Sequence, residues 1–136
     1  MSDVTRFGVA METSLLEQFD ELVAERGLAH NRSEALRDLV RSALTEARVE
    51  DPDAEVVGTV TMVFDHHASD LGDKLDSLQH HHHNEIISKL HIHLDAHNCL
   101  EVIIIRGKSA RVRSLADALL GTKGVRHGQL VLTTSE

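Results

Sequence analysis

The chain has 136 residues and a formal net charge of −8, with 22 acidic side chains against 14 basic ones. That length predicts one or two domains, and a hydrophobic content of 41% argues against a disordered or low-complexity chain. The acidity argues against a general polyanion binder but leaves room for DNA contact through a small local surface. The 11 histidines and the single cysteine are the features to explain.

The first 50 residues predict a short strand followed by two helices. Residues 4–11 alternate as a strand does, with a mostly apolar face of Thr5, Phe7, Val9 and Met11. A first helix is predicted from the capping-box pattern at Ser14 and Glu17, and Gly27 is its predicted C-cap. A second helix is predicted to begin at Asn31, with Glu34 three residues later.

A strand and two helices of this size bury too little surface to be comfortably stable alone. The lone strand also needs a partner for its backbone N–H and C=O groups. We therefore predict a dimer in which two such strands pair as an antiparallel ribbon over the helices.

The only proline, Pro52, lies in an acidic stretch, so we predict domains at 1–50 and 56–136 joined by a linker at 51–55. The second part predicts strands at 56–64, 86–95, 99–106 and 125–133, with helices at 69–78 and 109–120. This βαββαβ order is typical of a ferredoxin-like or ACT-like sandwich, so the whole chain is predicted to be α+β. One sheet face is expected to lie under the helices, and the other, partly apolar, is expected to face a second subunit.

Two histidines, His91 and His93, lie two residues apart on a predicted strand and so share a face. If the following hairpin is centred on Ala96, His93 lies opposite Cys99 and His91 opposite Glu101. Opposed residues have Cβ atoms about 4.5–5.5 Å apart. Each residue alone is better explained as an ordinary strand position or a small buried hydrophobe. Together on one face they predict a metal site.

The predicted ligands have intermediate softness, which disfavours Mg²⁺ and Ca²⁺. Zn²⁺ would bind them as a tetrahedron, whereas Ni²⁺ or Cu²⁺ would favour a square plane, and spacing alone does not choose. The histidine run at residues 80–83 can supply a fourth ligand, although most of it is expected to be a solvated turn. Glu101 is a candidate acceptor that fixes a histidine tautomer. His66 and His67 are either surface histidines or a weaker auxiliary site.

With both halves considered, the chain resembles the nickel-responsive transcriptional regulators (NikR family), which join a ribbon-helix-helix domain to an ACT-like domain. The segments that carry the resemblance are 15–20, 31–38, 79–83, 90–93, 98–101 and 124–128. The resemblance implies a square-planar Ni(II) site formed by His91, His93 and Cys99, with His80 from a neighbouring subunit. It also implies one Ni(II) per subunit in a homotetramer that is a dimer of dimers.

The resemblance further implies that the paired strands read double-stranded operator DNA in the major groove. The outward strand face carries Arg6, Gly8 and Ala10. Arg6 can pair with guanine and Ala10 can contact a thymine methyl. Relatives commonly carry more hydrogen-bonding side chains on this face, so the chain departs from the family pattern here. The start of the second helix, a candidate phosphate site, carries Asn31, Arg32 and Ser33.

A second cation such as K⁺ is implied near Glu34 and Asp38, which lie one helical turn apart. The alternative for this pair is a solvated acidic face, with Glu34 in a helix cap.

Three other functions would each account for only part of the sequence. A Zn(II)-dependent hydrolase would use Glu101 as its general base, but four protein ligands leave no open position for water. A metal store or chaperone would leave the strand-helix-helix unit unused. A plain ribbon-helix-helix repressor would leave the second domain unexplained.

We therefore predict a nickel-dependent transcriptional repressor that is not an enzyme. We also expect it to be cytoplasmic and to have no membrane partner. No run approaches the ~18–20 apolar residues of a membrane span. The first residues lack the pattern of a signal peptide, and one cysteine cannot form an internal disulfide.

Overall fold

A computed structural model describes residues 3–27, 31–68 and 71–135. The helices are α1 (Thr13–Arg26), α2 (Arg32–Glu50), α3 (Leu71–His81) and α4 (Ser109–Leu120). The strands are β1 (Glu55–Asp65), β2 (Ile86–His93), β3 (Asn98–Lys108) and β4 (Val125–Thr133). These elements form two compact units, Met1–Ala43 and Leu44–Glu136, which we describe separately. No helix in the described ranges is long and apolar enough to cross a membrane.

The two ends of α1 differ from each other in how they are capped. At its end, Gly27 adopts a left-handed conformation with φ 58°, and its N–H donates to the Val23 carbonyl at 3.2 Å, which confirms the predicted C-cap. At its start, the predicted capping box is wrong. The helix begins at Thr13 after Glu12, with no side-chain cap hydrogen bond, so Ser14 already lies inside the helix.

The start of α2 has the cap that the sequence predicts. The Asn31 Oδ1 accepts a hydrogen bond from the backbone N–H of Glu34 at 2.9 Å. This bond satisfies one of the amide groups that have no partner in the first turn of a helix.

Replacing Asn31 with alanine is expected to lower the free energy of unfolding by about 1 kcal/mol, because a cap hydrogen bond is lost. The matched control is Glu12→Ala, which removes a residue that makes no side-chain cap bond. Urea unfolding of the metal-free full-length chain, followed by circular dichroism, measures both variants. Equal destabilisation by the two substitutions would contradict the prediction.

The predicted strand at residues 4–11 is not formed in the single chain. Residues 3–12 are in neither helix nor strand, and the exposed fractions of Val4, Phe7 and Val9 are 85%, 80% and 59%. A strand requires hydrogen bonds to another strand. Within the described residues, the one sheet consists of β-strands from residues 55–133 and does not include this segment.

The second unit is built on one four-stranded antiparallel sheet with the strand order β2-β3-β1-β4. This order confirms the predicted ferredoxin-like βαββαβ arrangement. Predicted and observed bounds agree closely, although Ser69 in the predicted 69–78 helix lies outside the described residues. The α3 helix continues past Leu78 to His81, and β2 ends at His93 rather than Asp95.

Alternate residues of β1 are buried beneath the helices, as strand geometry requires. The fully buried core side chains include Val56, Val60, Met62, Ile103, Ile105, Val112, Leu115 and Leu119. On the opposite sheet face, exposed apolar side chains form a patch of Leu90, Ile92, Leu94, Ile104 and Val131. Within the second unit, helices thus cover one face of the sheet, and the other face carries exposed apolar side chains.

Candidate metal centre

The β2–β3 hairpin brings the residues of the predicted site to one sheet face. Its register pairs His93 with Cys99 and His91 with Glu101. This confirms the register predicted from a hairpin centred on Ala96. The helix-covered face of β3 therefore carries a thiol and a carboxylate, each beside an imidazole of β2.

The turn between these strands is held by a single carboxylate. Asp95 accepts hydrogen bonds from the His97 and Asn98 backbone N–H groups, both at 2.8 Å, and from the Asn98 side chain at 3.0 Å. These hydrogen bonds lower the pKa of Asp95 to about 2, and the bond from the Asn98 side chain makes the largest contribution to this shift. The turn is therefore tight, which fixes the register of the two strands.

Three potential metal ligands meet at the turn end of this hairpin. Cys99 Sγ lies 3.2 Å from His66 Nδ1 and 3.4 Å from His93 Nδ1. The ligand atoms of the three residues all lie within 4.8 Å of one another. Cys99 is fully buried, His66 half-buried and His93 exposed, so a metal ion can approach from the side of His93.

Burial raises the pKa of the Cys99 thiol, with further contributions from the negative charges of Glu101, Asp65 and Asp95. The metal-free thiol therefore holds its proton at neutral pH. A bound metal must displace that proton, because the thiolate is the ligand form. A thiolate between imidazoles suits a metal of intermediate softness such as nickel, copper or zinc.

His66 is more central than sequence reasoning predicted. It directly follows β1, whose Phe64 pairs with Cys99 of β3. The pairing of β1 with β3 therefore carries His66 to the thiol, although the two residues are 33 positions apart. The ferredoxin-like strand order could have predicted this contact, because it places the end of β1 beside the start of β3. His67 lies next to it, with Nε2 2.9 Å from the Ala96 carbonyl.

His91 does not belong to this three-residue cluster. Its Nδ1 lies 3.3 Å from Glu101 Oε2. Its ring stands 5.2 Å from that of His93 and 5.9 Å, edge to face, from that of the buried Phe64. His91 therefore lies beside the cluster, with its Nδ1 next to the Glu101 carboxylate.

His80 lies on the last turn of α3 and is exposed. In the described part of the chain it is not a member of the cluster with Cys99. Its nearest ring contacts are with His81 and His83, with centroids 6.3 and 6.2 Å away. The described residues thus place the His80 imidazole near other histidines of the 80–83 run.

The predicted DNA and cation residues lie in the first unit. Arg6, Gly8 and Ala10 are exposed in the segment before α1, and Ser33 is exposed in the first turn of α2. Arg32 forms two hydrogen bonds to the Asp20 carboxylate, at 2.9 and 2.7 Å. The carboxylate of Asp38 lies 3.2 Å from Arg41, and Glu34 takes part in the cap at Asn31.

Two family descriptions match the chain. Residues 57–133 match "NikR C terminal nickel binding domain", and residues 5–47 match "Ribbon-helix-helix protein, copG family". The chain is 56% identical over 135 residues to a protein of Geobacter metallireducens and 57% identical to one of Geobacter sulfurreducens. Each of these alignments covers 99% of this chain and 96% of the relative. A protein of Caldanaerobacter subterraneus is 48% identical, over 99% of this chain and 87% of its own length. All three carry the provisional name nickel-responsive regulator.

Proposed function

The chain belongs to the family of nickel-responsive regulators, and from this premise we propose a nickel-dependent repressor that binds operator DNA through a two-stranded ribbon. The chain is a nickel-sensing, DNA-binding regulator and not an enzyme, because both of its domains are domains of regulators and its full-length relatives are named as regulators. The observation that carries the proposal is the buried Cys99 thiol with two imidazole nitrogens within 3.4 Å.

The proposed Ni(II) ligands are His91, His93 and Cys99 of one subunit and His80 of its neighbour, in a square plane with one ion per subunit. Support for a ligand from another subunit comes from His80 itself, which is exposed on α3 and lies apart from the cysteine cluster of its own chain. His66 is proposed as an auxiliary ligand, because its Nδ1 already lies 3.2 Å from the thiol.

A homotetramer, built as a dimer of dimers, is proposed to complete the site. The residues before α1 need a second strand, and the uncovered sheet face exposes the apolar side chains of β2 and β3 to solvent. Exposed apolar patches of this kind are typical of surfaces that associate. Two kinds of contact between copies, one in each unit, are sufficient to build a dimer of dimers.

DNA contact is assigned to the ribbon face carrying Arg6, Gly8 and Ala10, and to the start of α2. Asn31, Arg32 and Ser33 lie there, and Arg32 can exchange its Asp20 partner for a phosphate. A second cation such as K⁺ is proposed at Glu34 and Asp38. A cytoplasmic location is proposed because operator DNA and a reduced thiol ligand are both found there.

The decisive experiment measures binding to promoter DNA upstream of a nickel-uptake operon, with and without one equivalent of Ni²⁺ per subunit. The wild-type chain is expected to bind about 5–150-fold more tightly with nickel, the usual range of coupling between two sites. Reciprocity requires DNA to tighten nickel binding by the same factor. In Cys99→Ala this nickel response is expected to disappear, because the thiolate ligand is absent.

An exposed histidine of the same hairpin provides the control. His97→Ala removes an imidazole from the turn but no proposed ligand, and it should keep the nickel response of wild type. Absorption spectroscopy adds a direct test, since a thiolate-to-nickel band should appear in wild type and vanish in Cys99→Ala. Nickel-independent DNA binding by the wild type, or an unchanged response in Cys99→Ala, would refute the proposal.

A further inference from the structure

A cavity of about 440 Å³ lies in the second unit, at the opposite end of β3 from Cys99. It is formed where β1 begins, where β3 ends and where α4 makes its first turn, together with the two residues before β2. Small-molecule sites in proteins are clefts of about 300–1,000 Å³. The cavity therefore has the size of a ligand site and is separate from the metal centre.

The side chains around the cavity carry more positive than negative charge. Arg106, Lys108 and Arg111 are cationic, whereas Glu55 and Glu85 are the carboxylates. The chain as a whole has the opposite balance, with 22 acidic side chains against 14 basic ones. A concave surface with an excess of one charge concentrates ions of the other sign, because its walls focus the electric field. The expected ligand is therefore an anion.

The protein itself uses these cationic side chains only in part. Arg111 Nη1 lies 3.3 Å from Glu85 Oε1, but 74% of the Arg111 side chain remains exposed. Lys108 lies opposite Glu55 in the register of β1 and β3. In the described part of the chain, however, the side chains of Lys108 and Arg106 form no hydrogen bond or ion pair. Two positive charges at the cavity are thus available to a ligand.

The backbone around the cavity is fixed by hydrogen bonds. The Arg106 N–H donates to the Glu85 carbonyl at 2.7 Å, which ties the segment before β2 to the end of β3. Next to Arg106, Gly107 has no side chain, and a Cβ there would lie 3.6 Å from Glu85 Cγ. Its absence leaves space beside that carboxylate. The backbone of the cavity is therefore in place before a ligand binds, which lowers the entropic cost of binding.

We propose that this cavity binds a small molecule with two negative charges on carboxylate or phosphate groups, held by Arg106, Lys108 and Arg111. Two cations without a protein partner match two negative charges, and guanidinium groups pair with carboxylate and phosphate oxygens in a bidentate manner. The Glu85 carboxylate beside Arg111 already makes this type of contact. The side chain of Asn84 also lines the cavity and adds a neutral amide donor.

The principal test is isothermal titration calorimetry of the metal-free full-length chain with succinate and, separately, with inorganic phosphate. Low ionic strength is used because salt screens exposed charges. Saturable binding of one anion per subunit, with a dissociation constant below about 1 mM, is expected for at least one of the two. Tighter binding of succinate would identify a carboxylate site, and tighter binding of phosphate would identify a phosphate site. Absence of saturable binding of both anions to the wild type would overturn the proposal.

Three variants separate a defined site from general attraction to positive charge. Lys108→Gln should weaken binding by about tenfold, because a hydrogen bond to a charged group is lost. Lys123→Gln removes the same charge from an exposed residue outside the cavity and should bind as the wild type does. Glu85→Gln removes the carboxylate that competes for Arg111 and should bind more tightly than wild type, which a folding defect would not produce. Equal affinities of Lys108→Gln and Lys123→Gln would overturn the proposal.

Amide chemical shifts locate the bound anion without any substitution. In ¹H–¹⁵N spectra of the wild type, titration with the tighter-binding anion should shift the amide signals of Asn84 and Gly107 and leave that of Cys99 unchanged. Shifts confined to other parts of the chain would overturn the assignment of the site. The nickel response of DNA binding is measured on other residues, so either result leaves the proposed function unaffected.

Discussion

Replacing His91 with alanine is expected to weaken Ni²⁺ binding by more than about 100-fold, whereas His66→Ala is expected to weaken it less than about tenfold. The first substitution removes a proposed ligand, and loss of a ligand costs more than the 10–100-fold typical of an orienting residue. The second removes a proposed auxiliary residue. Comparing these two variants is informative because the single chain places His66, and not His91, beside the Cys99 thiol.

Competition with a chelator of known affinity, followed at the thiolate-to-nickel band, measures both dissociation constants. Both variants should unfold in urea near the wild-type midpoint, because His91 is exposed and His66 only half-buried. The reverse ranking, with a large loss in His66→Ala and a small one in His91→Ala, would assign the nickel site to His66, His93 and Cys99 within one subunit. The ligand set proposed above would then be wrong.

Replacing Phe7 with serine is expected to break the amino-terminal dimer and abolish DNA binding. Phe7 is 80% exposed in the single chain, and it lies on the mostly apolar face of the segment predicted to pair with its copy. If pairing buries the ring, truncating it costs about 3–5 kcal/mol in each chain. Sedimentation velocity at micromolar concentration should show smaller assemblies than wild type, while the second unit keeps its fold.

The neighbouring residue supplies the matched control, because it lies on the opposite face of the same segment. Arg6→Ala should leave the assembly intact, weaken specific DNA binding by about 1–3 kcal/mol and lower the salt dependence of binding. Intact dimers in Phe7→Ser, or loss of assembly in Arg6→Ala, would show that the two faces have been assigned the wrong way round.

Local sequence patterns were sufficient to predict most of the secondary structure and the β2–β3 hairpin of the site. The two-residue period of a strand and the short turn at Asp95 set the register that opposes His93 to Cys99 and His91 to Glu101. Caps at Asn31 and Gly27 followed from residue type alone. The capping box at Ser14 failed because the same residue types also occur inside a helix, where they do not cap it.

Other parts of the site depend on pairings between distant segments. His66 reaches Cys99 only because β1 pairs with β3, and Gln79 reaches Glu101 only because α3 packs over that sheet. The sequence alone therefore determined the β2–β3 hairpin and the metal-binding character of its face, because hairpin geometry depends on adjacent residues. The tertiary structure decided which further side chains join that face. The pairing of β1 with β3 brings together residues 33 positions apart, and the packing of α3 brings together residues 22 positions apart.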